Sequence, residues 1–459
     1  MRSLAETIEL SKSMEHYQAE VSLEILRSLE SISSGELRTM IDGQQYDPEF
    51  TEWLELALQV RPVMIDDSSI ELAARQWADF HYGHAVTREN FSELVRLYQS
   101  QYPAPLQVAI LLPTQGGLAA AARAIRDGVM SAYFENPGNS IIRFYSSGEN
   151  SESAVKAYLQ ARLEGATQVV GPLRIESTRA IANLAELSVP VLLLNEALED
   201  DTQAPVHTNM VNSLSLSQSE EAIAIANKAL SQALNRAIVL VPDSTWGKRI
   251  ESAFSTAFEN AGGFISATAR FDSTTSDHSD VLTKLLNIDE SRQRKADLQS
   301  RIGVPLKFEP TRRDDFDFIF MAASPSEGRE LKPLLRFHDT GDVPVYAMGR
   351  IYGGKVEYAL DQDLNGVIFQ TTPWQLNPRV EAALTLDSIR DGAFAHLFAL
   401  GQDAWQILPW LPLLRKDPDL WFPGSIGALR IQDSGRLHRQ PAWAEFSAGR
   451  PVSHQWPDS

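Results

Sequence analysis

Residues 106–136, LQVAILLPTQGGLAAAARAIRDGVMSAYFEN, leave the chain few folds to choose from. Gln107–Leu112 is a short apolar run containing β-branched Val108 and Ile110, the pattern of a buried parallel strand. Pro113 and Gly116-Gly117 break it. Over 118–134, Leu118, Ala121, Ala122, Ile125, Val129, Ala132 and Tyr133 recur at helical spacing. A strand, a glycine turn and an amphipathic helix open a doubly wound α/β domain. Ligands of such sheets sit at the carboxyl ends of the strands, so loop 113–117 is expected to face any cleft.

The unit recurs about 130 residues later, too long a period for a solenoid. Residues 236–263 read RAIVLVPDSTWGKRIESAFSTAFENAGG. An apolar strand is again closed by a proline, Pro242, a helix opens at Gly247, and AFENAGG echoes AYFENPG. Two lobes of similar build are expected, each with its own sheet.

At 459 residues the chain has room for two or three domains. A net charge of −19 argues against nucleic acid, which needs a basic face, and disfavours direct contact with anionic lipid. No apolar run approaches the length of a membrane span. The absence of cysteine excludes disulfides, thiolate metal sites and cysteine nucleophiles. The opening MRSLAETIELSKSMEHYQAE shows no apolar core and no lipid-attachment cysteine, so the chain is expected to be cytoplasmic, processed or truncated.

Residues 1–103 are helical in pattern. Val21, Leu23, Ile25, Leu26 and Leu29 mark one helix, and Asp47-Pro48 starts another carrying Phe50, Trp53, Leu54, Ala57 and Leu58. Ser68 caps a third, and Thr87, with Asn90 three residues on, caps a fourth. Short helices with short connections suggest a tetratricopeptide-type array, without a clean 34-residue repeat. Further strands are expected at 141–145, 168–170, 189–194, 317–321, 343–348 and 366–370. Helices are expected at 151–163, 177–188, 216–234 and 325–337, with a polar helical core at 280–302 and one apolar helical stretch at 393–414. Residues 195–212 suit a crossing between lobes, and 423–446 reads as one hairpin turning at Asp433-Ser434-Gly435.

Several motifs admit a chemical and a plain reading. Residues 349–356, GRIYGGKV, nearly match a phosphate loop, but Val356 offers no hydroxyl to Mg²⁺, so a glycine-rich turn is expected. Ser153 and Lys156 match the SxxK nucleophile motif without its SDN and KTG companions. His81 and His84 could face one metal, but no third ligand is evident. Trp246 and Trp374 follow apolar strands, where core or rim packing is the ordinary meaning and stacking on a ligand the functional one. The run Arg312, Arg313, Asp314, Asp315 is a solvated loop or a partner-docking surface.

The same residues carry a resemblance. VAILLP with its Gly-Gly, VVGPLRIEST, PVLLLNE, the IVLVP…WG unit and the closing GSIGALRIQDSGRLHRQPAWAEFSAGRPV resemble the type I periplasmic-binding-protein fold. More narrowly, TRRDDFDFIFMAASPSEGRELKPLLRFHDTGDVPVYAMGRIYGG, with DLNGVIFQTTPW, resembles the LpoA family of penicillin-binding protein activators. Residues 1–103 resemble the last part of that family's tetratricopeptide-like N-terminal domain. The resemblance implies an outer-membrane lipoprotein facing the periplasm, not an enzyme. It would stimulate a bifunctional class A penicillin-binding protein of the 1A type. Peptidoglycan is a candidate second partner, no cofactor is implied, and membrane contact would run through a lipid anchor absent from this sequence.

The expected architecture is thus an α/β, two-lobed type I periplasmic-binding-protein-like domain at 104–459, preceded by an all-α region at 1–103. Lobe 1 is expected at about 106–207 and 338–418, and lobe 2 at about 208–337 and 419–459. The rival function is a binding protein for an amino acid or small amide. Its cleft contacts would be Thr114, Gln115, Gly116, Gly171, Leu173, Asn195, Trp246 and Gly349. Docking of a protein partner would instead draw on Arg312, Arg313, Asp314, Asp315 and Arg350.

Overall fold

The computed structural model describes residues 4–14, 16–135, 139–196, 209–305, 307–376, 392, 394–454 and 456. They form two compact units, Met1–Ser215 with Leu397–Gln440, and Leu216–His396 with Pro441–Ser459.

The first unit opens with six helices: α1 (Leu4–Lys12), α2 (Ala19–Leu29), α3 (Ser34–Asp42), α4 (Pro48–Ile65), α5 (Ile70–Phe80) and α6 (Arg88–Gln99). Local chemistry sets their starts. The Asp47 carboxylate accepts from the Phe50 N–H at 3.0 Å, with Pro48 in the first turn, and Thr87 and Asn90 cap each other's backbone. Helix α3 was not legible as an apolar pattern, because its buried residues are Ser34 and Leu37 alone. Its signal is the Ser33–Glu36 capping box. Leu26, Phe50, Trp53, Trp77 and Phe91 fill the space between helices.

Next come five parallel strands, β1 (Gln107–Leu112), β2 (Ile141–Ser146), β3 (Gln168–Val170), β4 (Val191–Leu193) and β5 (Val211–Ser213), in the order β2-β1-β3-β4-β5. Helices α7 (Ala119–Glu135), α8 (Ser151–Leu163) and α9 (Ile175–Ala182) connect them. Helix Ala395–Gln406 lies against α7 where two glycines meet the opposing backbone. A Cβ on Gly128 would overlap the Phe398 carbonyl, and one on Gly401 the Ile125 carbonyl.

The second unit contains α10 (Gln218–Ser231), β6 (Arg236–Pro242), α11 (Thr245–Asn260), β7 (Phe264–Phe271), α12 (Ser279–Leu285), α13 (Ile288–Ile302), β8 (Phe318–Met321), α14 (Pro325–Phe337), β9 (Val345–Ala347) and β10 (Val367–Thr371). Its parallel strands run β7-β6-β8-β9-β10, the same winding as the first sheet. Antiparallel Ala442–Ser447 and Arg450–Ser453 extend it past β10. The repeated sequence unit is therefore a repeated topology. Phe254, stacked on Phe320 with ring centroids 4.0 Å apart, seals one face of this sheet.

The structure corrects several expectations. Strands β9 and β10 pair with β8 and with Ala442–Ser447, so 338–396 belongs to the second unit, while 419–440 belongs to the first. Sequence order misled here because strand pairing, a long-range property, decides which sheet a segment joins. The expected hairpin at 423–446 splits for the same reason. Ala428–Ile431 pairs with Leu437–Gln440, while Ala442–Ser447 joins β10. The apolar stretch 393–414 is broken into Ala395–Gln406, a 3-10 turn Leu408–Trp410 and Leu411–Lys416, because Pro409 and Pro412 cannot donate to a continuing helix. The polar core 280–302 breaks between α12 and α13 at Asn287, which is left-handed with φ 56. Strand β7 was missed outright. It is an edge strand whose side chains are mostly half-buried or exposed, so it lacks an apolar run. Most of the expected lobe crossing lies outside the described residues.

Candidate functional site

The carboxyl edge of the first sheet gathers six of the expected cleft residues. Thr114, Gln115 and Gly116 follow β1, Gly171 and Leu173 follow β3, and Asn195 follows β4. Thr114 Oγ1 lies 3.1 Å from Ser146 Oγ. Gly116 is left-handed (φ 77), a backbone that favours glycine. Gly171 (φ 99) precedes a cis proline, and its N–H donates to the Leu192 carbonyl at 2.8 Å. Leu173 is buried. The Asn195 amide is spent locally: Nδ2 donates to the Leu173 carbonyl at 2.8 Å, and Oδ1 accepts from the Glu196 N–H at 2.9 Å. This edge exposes Thr114, Gln115 and Gly116 and uses the rest for its own backbone.

The matching edge of the second sheet is also occupied by its own side chains. Ser244 caps α11, accepting from the Gly247 N–H at 3.0 Å, and this holds Trp246 in the first turn. Trp246 Nε1 donates to Gln218 Oε1 at 2.7 Å, and the Arg350 guanidinium lies 4.8 Å above the indole ring. The Gly349 N–H donates to the Glu221 carboxylate, and Gln370 Nε2 donates to the Glu221 carbonyl at 3.4 Å. The Glu221 carboxylate and the Gly349 N–H satisfy each other, and the Trp246 indole is engaged by Gln218 and Arg350.

The run at 312–315 works internally as well. Arg312 Nε donates to the Asp339 carbonyl at 2.7 Å, and its guanidinium lies 5.4 Å from the Phe316 ring. Arg313 donates to both Asp315 oxygens at 2.6 and 2.7 Å and to the Ser266 carbonyl at 2.9 Å. That last bond satisfies a carbonyl of β7 where its register with β6 shifts. The Arg313 guanidinium holds the Asp315 carboxyl below the usual carboxylate range. Asp314 and Asp315 stand exposed, while Arg312 and Arg313 are half-buried.

The remaining motifs take their plain places. His81 stacks on Trp77 at 3.6 Å and reaches Glu55 Oε2 at 2.6 Å, while His84 accepts from the Val86 N–H at 3.0 Å. Burial pushes the His84 pKa down to about 4. Among the described residues no three His, Asp or Glu side chains gather as metal ligands. Lys156 pairs with Glu152 at 2.6 Å on the exposed face of α8. The glycine-rich loop after β9 makes a 3-10 turn, Gly349–Ile351, and no α-helix follows at Lys355. Trp374 is half-buried on the short helix Pro373–Leu376.

Sequence reasoning missed a buried polar cluster that joins the helical region to the first lobe. Asp417 Oδ2 accepts from Arg61 Nη1 at 2.8 Å and from Ser34 Oγ at 2.6 Å, and its Oδ1 accepts from the Ser34 N–H at 3.0 Å. Arg61 Nη2 donates to the Leu29 carbonyl at 2.9 Å. Around it, Lys416 reaches Glu30 at 2.6 Å and Asp419 accepts from the Gly35 N–H at 2.6 Å. Beside this junction lies a groove of about 530 Å³ whose lining includes Tyr102, Pro105, Trp405, Trp410 and Phe422. The partners are far apart in sequence, so no local motif announces them.

A model of the family described as LppC putative lipoprotein matches residues 1–449. The chain belongs to the LppC family. Among its relatives, the penicillin-binding protein activator LpoA of Vibrio antiquarius is 24% identical over 446 residues, covering 94% of this chain and 72% of the relative. That of Photobacterium profundum is 24% identical over 429 residues, covering 92% and 67%. Full-length LpoA from Haemophilus influenzae superposes with a TM-score of 0.60 at 18% identity, covering 97% of this LppC chain and 79% of that one. The LpoA (YraM) C-domain of the same organism, described as a regulator of PBP1A, gives 0.57 at 20% identity, covering 76% and 100%. A putative branched-chain amino acid ABC transporter from Chromobacterium violaceum gives 0.52 at 22% identity, covering 74% and 100%. These superpositions establish the two-lobed binding-protein fold behind a helical region.

Proposed function

We propose that this LppC-family chain is a non-catalytic regulator that binds and activates a bifunctional class A penicillin-binding protein of the 1A type. It would act from the outer-membrane side of the periplasm, held there by a lipid anchor. The carrying observation is the span of the relatives named as penicillin-binding protein activators. They align along 92–94% of this chain, across the helical region and both lobes together. The geometry agrees. At the carboxyl edge of the second sheet Arg350 lies on Trp246 and Glu221 takes the Gly349 N–H, so that wall serves the protein's own surface. Capture of an amino acid needs a carboxylate and backbone donors left for the ligand. The likeness to a putative amino-acid transporter is one of fold, and no contact among the described residues favours that rival.

An activator must bind the active state of its target more tightly than the resting state. Tenfold stimulation corresponds to about 1.4 kcal/mol of preference. The test is glycan polymerisation and peptide cross-linking by a purified class A synthase, with and without this chain. Stimulation that rises with the fraction of binary complex supports the reading. A folded chain that forms no complex and changes neither rate sinks it.

A further inference from the structure

The connection between β7 and β8 is longer than a crossover to a near neighbour needs, and its outer half packs on little. Helix α12 buries Leu282 and Leu285, but the fifteen-residue α13 buries just Ile288 and Ser291. Every described residue from Arg292 to Pro310 is exposed or half-exposed. Gly303, with φ 73, ends α13, and the chain turns back. The root is fastened: the Thr311 N–H donates to Ser291 Oγ at 3.1 Å, and the Arg313 N–H to the Leu286 carbonyl at 3.0 Å. Residues 292–310 thus form a finger that projects from the second unit.

Its surface differs from the rest of the molecule. At 100° per residue, Arg294, Lys295, Leu298, Arg301 and Ile302 fall within about 120° of the helix circumference. Leu298 and Ile302 are 49% and 52% exposed, and cations flank them on both sides. Val304 and Phe308 on the returning segment are exposed too. Across 292–310 there are five cations (Arg292, Arg294, Lys295, Arg301 and Lys307) to two carboxylates, Asp297 and Glu309, in a chain of net charge −19. An aliphatic stripe left in water marks an interaction site, and cations beside it set the sign of the partner.

We infer that this finger is a docking element that lays Leu298 and Ile302 into an acidic, apolar-floored groove on a protein partner. Lys295 and Arg301 meet the acidic rim, while Arg294 pairs with Glu290 on its own helix at 3.7 Å. The inference rests on the docking function proposed above and assigns its surface. An anionic membrane fits less well. Two aliphatic residues make a narrow inserting face, Asp289, Glu290 and Asp297 share the helix, and the acidic body would be repelled by anionic lipid.

The experiment compares the parent chain with Lys295→Glu/Arg301→Glu and with Leu298→Ser/Ile302→Ser. Each is measured for binding to the purified class A synthase, for stimulation of its polymerisation, and for binding to phosphatidylcholine–phosphatidylglycerol vesicles. The altered side chains are exposed, so thermal unfolding midpoints should match the parent and exclude a folding defect. We expect the charge reversal to weaken the complex at least about tenfold and to flatten its salt dependence, and the serine pair to weaken it about three- to tenfold. Variants that bind and stimulate like the parent overturn the finger assignment and leave the docking function standing. A parent chain that binds no synthase overturns both. Parent binding to vesicles that is lost in the variants, with synthase binding unchanged, overturns the protein partner in favour of a lipid surface.

Discussion

Asp417→Ala tests how the helical region is fixed to the first lobe. The Arg61 and Asp417 side chains are 2% and 1% exposed. Removing the carboxylate leaves the guanidinium buried with the Leu29 carbonyl as a remaining acceptor, and takes from Ser34 the acceptor of both its N–H and its hydroxyl. Breaking a buried pair from one side costs about 3–5 kcal/mol, because the surviving charge is neither solvated nor matched. With an m-value of roughly 3 kcal/mol per M for a unit of this size, the urea midpoint of the first unit should fall by about 1–1.7 M. Tryptophan fluorescence can follow it, since Trp53 and Trp77 lie in the helical core. Replacing both partners, as Arg61→Met with Asp417→Leu, should recover much of the loss, because no charge is then stranded. A midpoint loss below about 0.3 M for Asp417→Ala would refute the reasoning, since water or a rearranged partner would then be supplying the missing acceptors.

Three further outcomes are expected. In Gly401→Ala the new Cβ would lie 2.9 Å from the Ile125 carbonyl carbon and 3.0 Å from the Val129 nitrogen. Neither backbone can yield cheaply, so the overpacking cost of about 1–3 kcal/mol should exceed the helix-propensity gain of about 1, and a raised melting temperature would contradict it. Asp403 accepts from the Ser425 and Ile426 N–H groups at 2.6 and 2.8 Å, and burial pushes its pKa up to about 7. Its folded pKa lies above the unfolded value, so its contribution is largest in acid and is lost as pH rises towards 7. Asp403→Asn should therefore gain about 2–3 kcal/mol on the parent between pH 5 and 8, and a constant difference in urea stability would count against the shift. Arg313→Ala should cost about 1–2 kcal/mol by removing the donor to the Ser266 carbonyl; unchanged stability with lost partner binding would instead make Arg313 a docking residue.

What was legible in the sequence follows the range of the forces. Helices α8 and α14 were placed at their observed bounds because caps and apolar periodicity act within a few residues. The repeat of a strand, a proline and a glycine-opened helix foretold two sheets with one winding, since each unit carries its own local pattern. Edge strand β7 was hidden because half its faces meet solvent and no alternation survives. The membership of β9 and β10 was hidden because nothing near Val345 or Val367 specifies its neighbours. At the site, the sequence marks Trp246 and Gly349 as cleft residues and Arg350 as a docking residue. That Trp246 and Arg350 would engage each other could not be read, since they lie far apart in sequence.

The second sheet's carboxyl edge is spent on its own side chains, and the helical region is pinned to the first lobe. A receptor that closes on a ligand keeps unsatisfied groups at the carboxyl edges of its sheets, but here Glu221, Trp246 and Asn195 are already engaged. The helical region is held to the first lobe by a charge pair with matched hydrogen bonds. Such a pair adds little net stability but penalises every other docking geometry, so it fixes orientation more than strength. A body of this kind can still activate a target, because the free energy comes from preferring one of the target's states over another. Roughly 1.4 kcal/mol suffices for a tenfold effect, and one well-buried aliphatic side chain with a matched charge at an interface supplies about that much. The Leu298–Ile302 stripe between Lys295 and Arg301 is therefore large enough to bias a partner whose acidic groove opens in its active state.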